Sequence, residues 1–194
     1  MTAHLDNILA FLKELDEQCS FNYPVDLYLI GGGAITLAYD QQNRTADLDF
    51  IDPPDSITRK GNENSELAKK YHIYISALPE IVFSAPANWR SKSKKLPLKL
   101  KNLCVFVPCV EDIVLGKLSR MEPKDFEDII SLEQRKLLNP KALLERLKQN
   151  LKEFKKTEYR NNTLLLFNEI FGLKLSFSQG TIKIGKKWRP FHPI

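Results

Sequence analysis

Residues 27–51 read LYLIGGGAITLAYDQQNRTADLDFI, and this stretch decides the fold. It opens with the apolar run Leu27–Ile30, whose aromatic and β-branched residues predict a buried strand. Three consecutive glycines follow, and the apolar spacing of Ala34–Tyr39 predicts a short buried helix. A strand that passes through glycines into a helix exposes backbone amides at the helix N-terminus. The amides and the helix dipole together favour a bound phosphate group.

The segment Arg44–Ile51 carries two aspartates on a second hydrophobic strand. Because side chains alternate along a strand, Asp47 and Asp49 lie on one face, while Leu48 and Phe50 lie on the other. Two adjacent carboxylates repel each other unless a cation lies between them. Hard oxygen ligands of this kind suit Mg²⁺ or Mn²⁺ that arrives with substrate phosphates. The pattern therefore predicts a divalent-metal site.

Length and composition are those of an ordinary globular protein. The 194 residues can bury one core or two small subdomains, and the 43% hydrophobic and 27% charged fractions are typical of soluble proteins. No apolar run is long enough to span a membrane, and the N-terminus lacks the pattern of a signal peptide, so no membrane partner and a cytoplasmic location are expected. Three cysteines without a Cys-x-x-Cys pair favour neither a disulfide frame nor a zinc site.

The positive charge of the chain is concentrated in one segment. The formal net charge is +5, which is compatible with nucleotide or nucleic-acid partners. No acidic residue occurs from Ile81 to Val110. The basic residues of this segment are Arg90, Lys92, Lys94, Lys95, Lys99 and Lys101. Two interpretations stay open: a solvated loop and strand edge, or a binding surface for a polyanion.

The remaining pattern predicts a change from mixed to helical structure along the chain. In the first half we expect a helix over residues 5–18, a surface loop over 52–64, a helix over about 62–70, irregular structure over 79–89, and strands over 71–76 and 102–108. In the second half we expect helices that begin near residues 110 and 124, a third over 140–156, a fourth over 158–171, and a tail that is either a strand or hairpin arm or a loose extension. Residues 1–108 would form an α/β core and residues 109–194 a helical subdomain, packed as one unit.

A second charged cluster lies in residues 107–132. The charged residues of interest there are Glu111, Asp112, Lys117, Arg120, Lys124, Asp125 and Asp128. Helical spacing brings an acid, Lys117 and Arg120 together on one helix, with Asp125 and Asp128 on the next. Acid–base pairs on exposed helix faces are common, so this cluster alone also fits an ordinary solvated surface.

Together, the two constellations resemble the nucleotidyltransferase superfamily of polymerase-beta-like enzymes. In that superfamily a Gly-Gly or Gly-Ser turn precedes a helix, and an Asp-x-Asp strand follows. The resemblance is closest to the branch with Gly-Gly-x-Ala, Arg-x-Thr/Ser-x-Asp-x-Asp, Lys-Leu-x-Arg and Lys-Asp-x-x-Asp patterns. That branch includes the toxins of abortive-infection and other toxin–antitoxin systems. The resemblance covers roughly residues 27–51 and 105–132.

The resemblance implies an α+β nucleotidyltransferase fold, in which a small mixed sheet is flanked by helices and the C-terminal half is helical. It implies transfer of NMP from an NTP to a hydroxyl of RNA, protein or a small molecule, with Mg²⁺ (or Mn²⁺) as cofactor and a cognate antitoxin or toxin as a further partner. The implied catalytic residues are Asp47 and Asp49, which would also hold the metal, with Lys117 and Asp125. The implied nucleotide-binding residues are Gly31, Gly32, Gly33, Arg44, Thr45, Lys117 and Arg120.

One departure from the superfamily concerns a third carboxylate. Many active members carry it on a later strand of the same sheet, but neither predicted strand, 71–76 or 103–107, contains an acid. Glu80, Glu111 or Asp125 are the acids that could take its place. Two alternatives stay open. One is a non-catalytic relative that binds nucleotide, nucleic acid or a partner protein, and the other is an antitoxin or interaction module that uses the C-terminal helices.

Overall fold

The computed structural model describes residues 5–40, 45–178 and 181–187. The first half of the chain folds around a β-sheet. The elements of this half are α1 (Leu5–Glu17), β1 (Val25–Ile30), α2 (Gly31–Ala38), β2 (Asp47–Ile51), α3 (Asp55–Gly61), α4 (Glu66–Tyr71), β3 (Tyr74–Leu78), a 3₁₀ turn (Glu80–Val82), α5 (Trp89–Lys92), β4 (Lys94–Lys95) and β5 (Leu103–Val107). The second half is helical and ends in a hairpin. Its elements are α6 (Val110–Lys117), α7 (Pro123–Gln134), α8 (Pro140–Lys148), α9 (Leu151–Phe154), α10 (Thr157–Leu165), a π-helical turn (Leu166–Ile170), β6 (Leu173–Ser178) and β7 (Thr181–Lys187).

The five strands of the first half form one mixed sheet in the order β3-β2-β1-β5-β4. β1 runs parallel to β5 and antiparallel to β2, while β2 runs parallel to β3. In this register Ile30 lies opposite Asp49, and Asp49 lies opposite Ser76. The predicted α+β fold is confirmed: the chain is a mixed sheet flanked by helices, with a helical second half. Because Gly31 directly follows Ile30, the start of α2 lies beside Asp49.

The main core lies between one face of the sheet and the helices. Leu48 and Phe50 on β2 are fully buried, as are Leu27 and Leu29 on β1, which agrees with the alternation along both strands. From α1 the helically spaced Ile8, Phe11, Leu12 and Leu15 enter the same cluster, which continues into the C-terminal helices. Each such side chain contributes about 1.5–3 kcal/mol by its removal from water. The packing fixes which face of β2 carries the aspartates.

A smaller core covers the opposite face of the sheet. Ile30 and Ile51 from the strands pack there against Phe83, Ala85 and Trp89. These three residues belong to the proline-rich segment 79–93, which folds back over the sheet. The predicted irregular structure over 79–89 agrees with the single 3₁₀ turn found there.

Several predicted boundaries were wrong. The predicted surface loop over 52–64 contains α3, which is anchored by the buried Ile57. Helix α4 starts only after Ser65, whose hydroxyl accepts the Ala68 N–H at 3.1 Å. It ends at His72, whose left-handed backbone (φ 56°) moves the start of β3 to residue 74.

The C-terminal helices differ in continuity from the prediction. The predicted third helix, 140–156, breaks into α8 and α9 at Asn150. The predicted fourth helix ends in a π-helical turn before Gly172, whose φ of 60° suits glycine. Of the two interpretations of the tail, the hairpin is found, with its strands over residues 173–178 and 181–187. Residues 188–194 lie outside the described residues.

Candidate functional site

A continuous cleft lies between the sheet and the start of the helical half. Its polar part, the polar cleft, has a volume of about 420 Å³ and takes Asp47, Asp49 and Ser76 from the sheet side, and Lys117, Arg120 and Asp125 from the helical side. Its apolar part, the apolar hollow, has a volume of about 330 Å³ and is walled mainly by Ile30, Leu78, Val82, Phe83, Ile113 and Gly116. Asp49, Lys117 and Arg120 line both parts, so the two pockets join at these residues.

The two aspartates of β2 emerge side by side into the polar cleft, as the alternation predicts. The Thr45 hydroxyl donates to Asp47 Oδ1 at 2.8 Å and fixes the orientation of that carboxylate. Burial, followed by the neighbouring charge of Asp47, raises the pKa of Asp49, and a hydrogen bond from Ser76 only partly opposes this shift. The charged form of Asp49 is therefore disfavoured in this cleft, and a cation bound between the two carboxylates would stabilise it.

The glycine corner brings the start of α2 against these carboxylates. Gly31 has φ +66°, and a Cβ on it would lie 2.6 Å from Asp49 Oδ2. A Cβ on Gly32 would lie 3.2 Å from Thr45 Oγ1, so this residue also faces the polar cleft. Gly33 faces the core instead, where a Cβ would lie 2.9 Å from Leu48 Cδ2. The first two glycines thus allow backbone to approach the cleft, and the third allows α2 to pack on β2.

Replacing Gly31 with alanine is expected to impair the site more than the fold. A left-handed backbone costs a non-glycine residue about 1–2 kcal/mol, and the added Cβ must also displace the Asp49 carboxylate. Gly172→Ala is the matched control, because Gly172 has nearly the same φ (60°) at a helix end outside the cleft. Both variants should lose similar thermal stability, measured by circular dichroism. Only Gly31→Ala should lose Mn²⁺ affinity, measured by calorimetry; equal Mn²⁺ affinities would contradict the role given to Gly31.

The helical wall of the cleft is held together by a buried ion-pair cluster. The Lys117 ammonium lies 2.6 Å from Asp125 Oδ1 and 2.8 Å from Asp128 Oδ2, and its side chain is only 6% exposed. Arg120 donates to Asp125 as well, with Nε 2.9 Å from Oδ2, but its side chain is 60% exposed. Burial acts to raise the pKa of Asp125, but hydrogen bonds from Arg120 and Lys117 outweigh burial and lower it. Asp125 therefore stays ionised and positions two cations at the cleft.

The structure also shows the position at which the third carboxylate of the superfamily would lie. Ser76 on β3 lies opposite Asp49, at a position where an acid would face the aspartate pair. Of the three proposed substitutes, Glu80 is bound by the Trp89 indole N–H at 2.8 Å and by Arg90, and Glu111 does not line the cleft. Asp125 lines the cleft but is paired with cations. Within residues 5–40, 45–178 and 181–187, no three His, Cys, Asp or Glu side chains are grouped closely enough to hold a metal ion by themselves.

Helical spacing predicted that either Glu111 or Asp112 lies near Lys117, and Asp112 does not join that charged cluster. It is fully buried and accepts two hydrogen bonds from Arg146, from Nε to Oδ1 at 2.8 Å and from Nη2 to Oδ2 at 2.6 Å. Arg146 also donates to Asn88 Oδ1 at 2.9 Å. This network ties α6 and α8 to the segment that covers the second face of the sheet, so Asp112 has a structural role.

Several residues of the cleft were not predicted from the sequence, among them Ser76, Phe83 and Gly116. Ser76 could not be found from sequence, because its position depends on the register between two strands. Phe83 and Gly116 form the wall of the apolar hollow, and a Cβ on Gly116 would lie 2.6 Å from the Phe83 ring. A glycine inside a predicted helix is itself a signal of close packing, and it could have identified Gly116.

The structure therefore brings most of the predicted site residues into one cleft. Those that line it are Gly31, Gly32, Thr45, Asp47, Asp49, Lys117, Arg120 and Asp125. Gly33 lines neither part, and Arg44 lies outside the described residues.

Comparison with known proteins identifies the family of the chain. Neither a curated protein nor a solved structure matches the chain. A family model described as "Nucleotidyltransferase of unknown function (DUF6036)" matches residues 3–171, which include both walls of the cleft. The chain therefore belongs to the DUF6036 family of nucleotidyltransferases.

Proposed function

We propose that the protein transfers NMP from an NTP to an acceptor hydroxyl in a metal-dependent reaction. One observation carries this proposal: the paired carboxylates Asp47 and Asp49 share a cleft with the glycine corner and with Lys117 and Arg120. Paired carboxylates on the sheet wall, opposite cations that Asp125 positions on the helical wall, suit a metal-bound triphosphate.

The triphosphate is proposed to lie along the start of α2. Backbone amides at Gly31 and Gly32 offer hydrogen bonds there, because the first turn of a helix leaves its N–H groups without partners inside the helix. Arg120 adds a planar guanidinium beside Asp49, and the Lys124 ammonium lies 4.0 Å from the Cβ position of Gly32. These groups would hold the β- and γ-phosphates during transfer.

Asp47 and Asp49 fit a divalent ion by charge and by placement. Both are hard oxygen donors on one face of β2. Burial and the Asp47 charge raise the pKa of Asp49, so ionisation of this carboxyl costs free energy. A bound cation would reduce that cost. Because two carboxylates do not complete an octahedral shell, substrate phosphates and water would supply the other ligands. When bound, Mg²⁺ would stabilise negative charge on the attacking and leaving oxygens.

In the transfer step the acceptor oxygen forms a bond to the α-phosphorus of the NTP, and the bond from that phosphorus to the bridging oxygen breaks to release pyrophosphate. The proton of the acceptor hydroxyl passes to solvent water in the cleft. Asp125 is a weak base because Arg120 and Lys117 lower its pKa against the effect of burial. We therefore assign Asp125 a positioning role, in which it orients Lys117 and Arg120 rather than taking the proton.

The apolar hollow is proposed to hold the nucleoside of the NTP. It opens from the polar cleft at Asp49 and Arg120, so a triphosphate in one part places its nucleoside in the other. Its wall of Val82, Phe83 and Ile113 suits the flat apolar faces of a nucleobase, and its volume of about 330 Å³ lies within the range of small-molecule sites.

Replacing Gly116 with alanine tests that assignment. The new Cβ would lie 2.6 and 2.8 Å from two Phe83 ring carbons, so the ring that lines the hollow must move. We expect the KM for the NTP to rise by about tenfold, an effect of roughly 1.4 kcal/mol, with kcat changed less. Gly61→Ala is the control, since it overpacks the core at 2.7 Å from Ile75 Cδ1 and lies away from the cleft. An unchanged KM in Gly116→Ala would exclude the hollow as the nucleoside site.

The proposed activity can be tested directly with α-labelled nucleotides. Each of the four labelled NTPs is incubated with the protein, Mg²⁺ or Mn²⁺, and total RNA or total protein as acceptor. Label in an acceptor together with released pyrophosphate supports nucleotidyl transfer. NTP binding in calorimetry without any label transfer would instead support the non-catalytic alternative, which the serine opposite Asp49 favours.

The resemblance to toxin branches extends the proposal to a toxin–antitoxin component with a cognate protein partner. Copurification of the chain with the product of an adjacent gene would test this extension.

No helix in the described part of the chain is long and apolar enough to cross a membrane.

A further inference from the structure

A band of exposed lysines runs along the outer edge of the sheet. Its members, here called the lysine edge, are Lys92, Lys94, Lys95, Lys99 and Lys101, and all five are exposed. They lie in the acid-free segment 81–110. β4, which carries two of them, is an edge strand of only two residues, so this side of the sheet faces solvent.

The register of the strands places one end of the lysine edge near the polar cleft. Lys94 pairs with Val107, at the end of β5, and β5 runs parallel to β1, whose end leads into Gly31. Only β5 separates β4 from β1, which corresponds to about 10 Å across the sheet. Lys99 and Lys101 lie in the connection to the start of β5, about 16 Å further along the strand direction. The band is thus long enough for several phosphates and ends on the side of the catalytic residues.

The charges of the lysine edge are largely unneutralised. Lys92, Lys94, Lys99 and Lys101 form no ion pair with any residue in the described ranges. The charge of Lys95 is partly stabilised by its neighbours. A hydrogen bond to Cys104 raises the pKa of Lys95, and the charge of Asp26 raises it less strongly. The neighbouring basic residue Arg90 is paired with Glu80 and Asp52. At the other end of the band, the Asp16 carboxylate accepts the backbone N–H of Lys101 rather than pairing with its ammonium.

We propose that the lysine edge binds the phosphate backbone of a polynucleotide acceptor and directs its terminal hydroxyl to the cleft, an inference that rests on the proposed function. The aromatic residues nearest the edge are unsuited to stack bases: Trp89 is buried, and Tyr28 stacks on Phe106 and under Arg90. Without stacking surfaces, the contacts would be electrostatic and independent of sequence, as in binding to a folded or duplex region.

Protection of the strand edge against pairing with another sheet does not by itself explain the lysine edge. Lysines on an edge strand prevent pairing with another sheet, and this accounts for Lys94 and Lys95. It does not account for Lys99 and Lys101, which lie outside any strand. A membrane surface fits less well than a polynucleotide, because Leu96 is buried, and Leu98 and Leu100, which alternate with the lysines, pack against the core.

The experiment measures binding of a labelled RNA hairpin with an unpaired 3′ end by fluorescence anisotropy over a series of salt concentrations. Two variants remove charge from the two ends of the band: Lys92→Gln with Lys94→Gln, and Lys99→Gln with Lys101→Gln. The control, Lys152→Gln with Lys155→Gln, removes the same net charge from exposed lysines of the helical half. We expect each edge variant to weaken binding at least tenfold at low salt, and to reduce the slope of log K against log [salt] by about 2. The control should change binding less than twofold.

The outcomes separate this inference from the proposed function. No salt-dependent binding by the wild type, equal losses in edge and control variants, or a loss confined to one end of the band would each overturn it. Equal affinity for anionic lipid vesicles or polyglutamate would also overturn it, in favour of a general anion surface. Tighter binding of duplex DNA than of the hairpin would support backbone binding but assign the acceptor to DNA. Calorimetry of Mg²⁺–NTP binding in the same edge variants should be unchanged, and it reports independently on the nucleotide site.

Discussion

The Asp49→Asn protein is expected to transfer label at least about 10³-fold more slowly than the wild type, because charge stabilisation at a metal centre is worth several kcal/mol at the transition state. Asparagine has nearly the same shape as aspartate and keeps an acceptor oxygen for Ser76, so the fold around β2 should be retained. Rates of label incorporation from the preferred NTP, with Mg²⁺ and with Mn²⁺, measure the effect. NTP affinity in the absence of divalent ions should change little or increase.

The same variant is expected to be more stable than the wild type when no divalent ion is present. Burial and the Asp47 charge raise the pKa of Asp49, so the folded protein holds the proton more tightly than the unfolded chain does. Above the raised pKa, ionisation of Asp49 therefore costs folding free energy, and the asparagine avoids this cost. The difference in Tm between variant and wild type should be largest at neutral pH and should shrink as the pH falls toward the ordinary range of an aspartate. Thermal denaturation in EDTA at several pH values measures it.

A matched control distinguishes the effect of losing a carboxylate at the site from the effect of losing any acidic residue. Asp52 follows β2 directly, its side chain is 56% exposed, and it lies outside the cleft. Asp52→Asn should keep activity and show no pH-dependent gain in Tm. If Asp49→Asn stayed active, or if both variants lost activity equally, Asp47 and Asp49 could not be the metal site. If the Tm gain were absent while activity was lost, the cost of ionising the half-buried Asp49 would be the wrong explanation of its chemistry.

The contrast between Asp49 and Ser76 shows what could be predicted from the sequence. Alternation over a few residues decides the strand face on which Asp49 lies, and three adjacent residues form the glycine corner. Both features could therefore be predicted from the sequence. Ser76 acquires its place only through the register of β3 on β2. That register depends on α3 and α4, the region where the predicted boundaries were wrong. The candidate site was therefore predictable where its geometry is local, and the residue that faces the pair from the next strand was not.

Asp112 and Asp125 show the same limit among the helices. Helical spacing assigns both to the neighbourhood of Lys117, and nothing within the segment distinguishes them. Their roles are decided by a cation from another element: Arg146 on α8 lies within hydrogen-bond distance of Asp112, and Lys117 and Arg120 pair with Asp125. Burial of a charge requires a partner, and the partner of Asp112 lies 34 residues away in the sequence. A local pattern can thus supply the candidates, but only the tertiary packing separates the site from the scaffold.

Lys117→Met is expected to have the largest effect on stability, a loss of about 3–5 kcal/mol in the free energy of unfolding, because the change leaves buried carboxylates without their shared cation. Methionine has nearly the volume and flexibility of the lysine stem, so the loss reports charge rather than a cavity. Asp125 keeps Arg120 as a partner, whereas Asp128 loses the ammonium at 2.8 Å. Urea denaturation of variant and wild type at neutral pH measures the difference. A loss below about 1 kcal/mol, the size typical of an exposed pair, would contradict the burial of this cluster.

A second substitution separates the structural role of Lys117 from its role at the cleft. In Lys117→Met with Asp128→Asn, the carboxylate that lost its cation becomes neutral, so a large part of the stability should return. Activity should not return, since the ammonium that lines both parts of the cleft is still missing. Lys117→Arg completes the comparison: it keeps the charge but cannot reproduce two short contacts from one nitrogen, so it should be stable and slow. If the double variant recovered activity with stability, Lys117 would act only as a structural ion-pair partner, and phosphate binding would fall to Arg120 and the amides of α2.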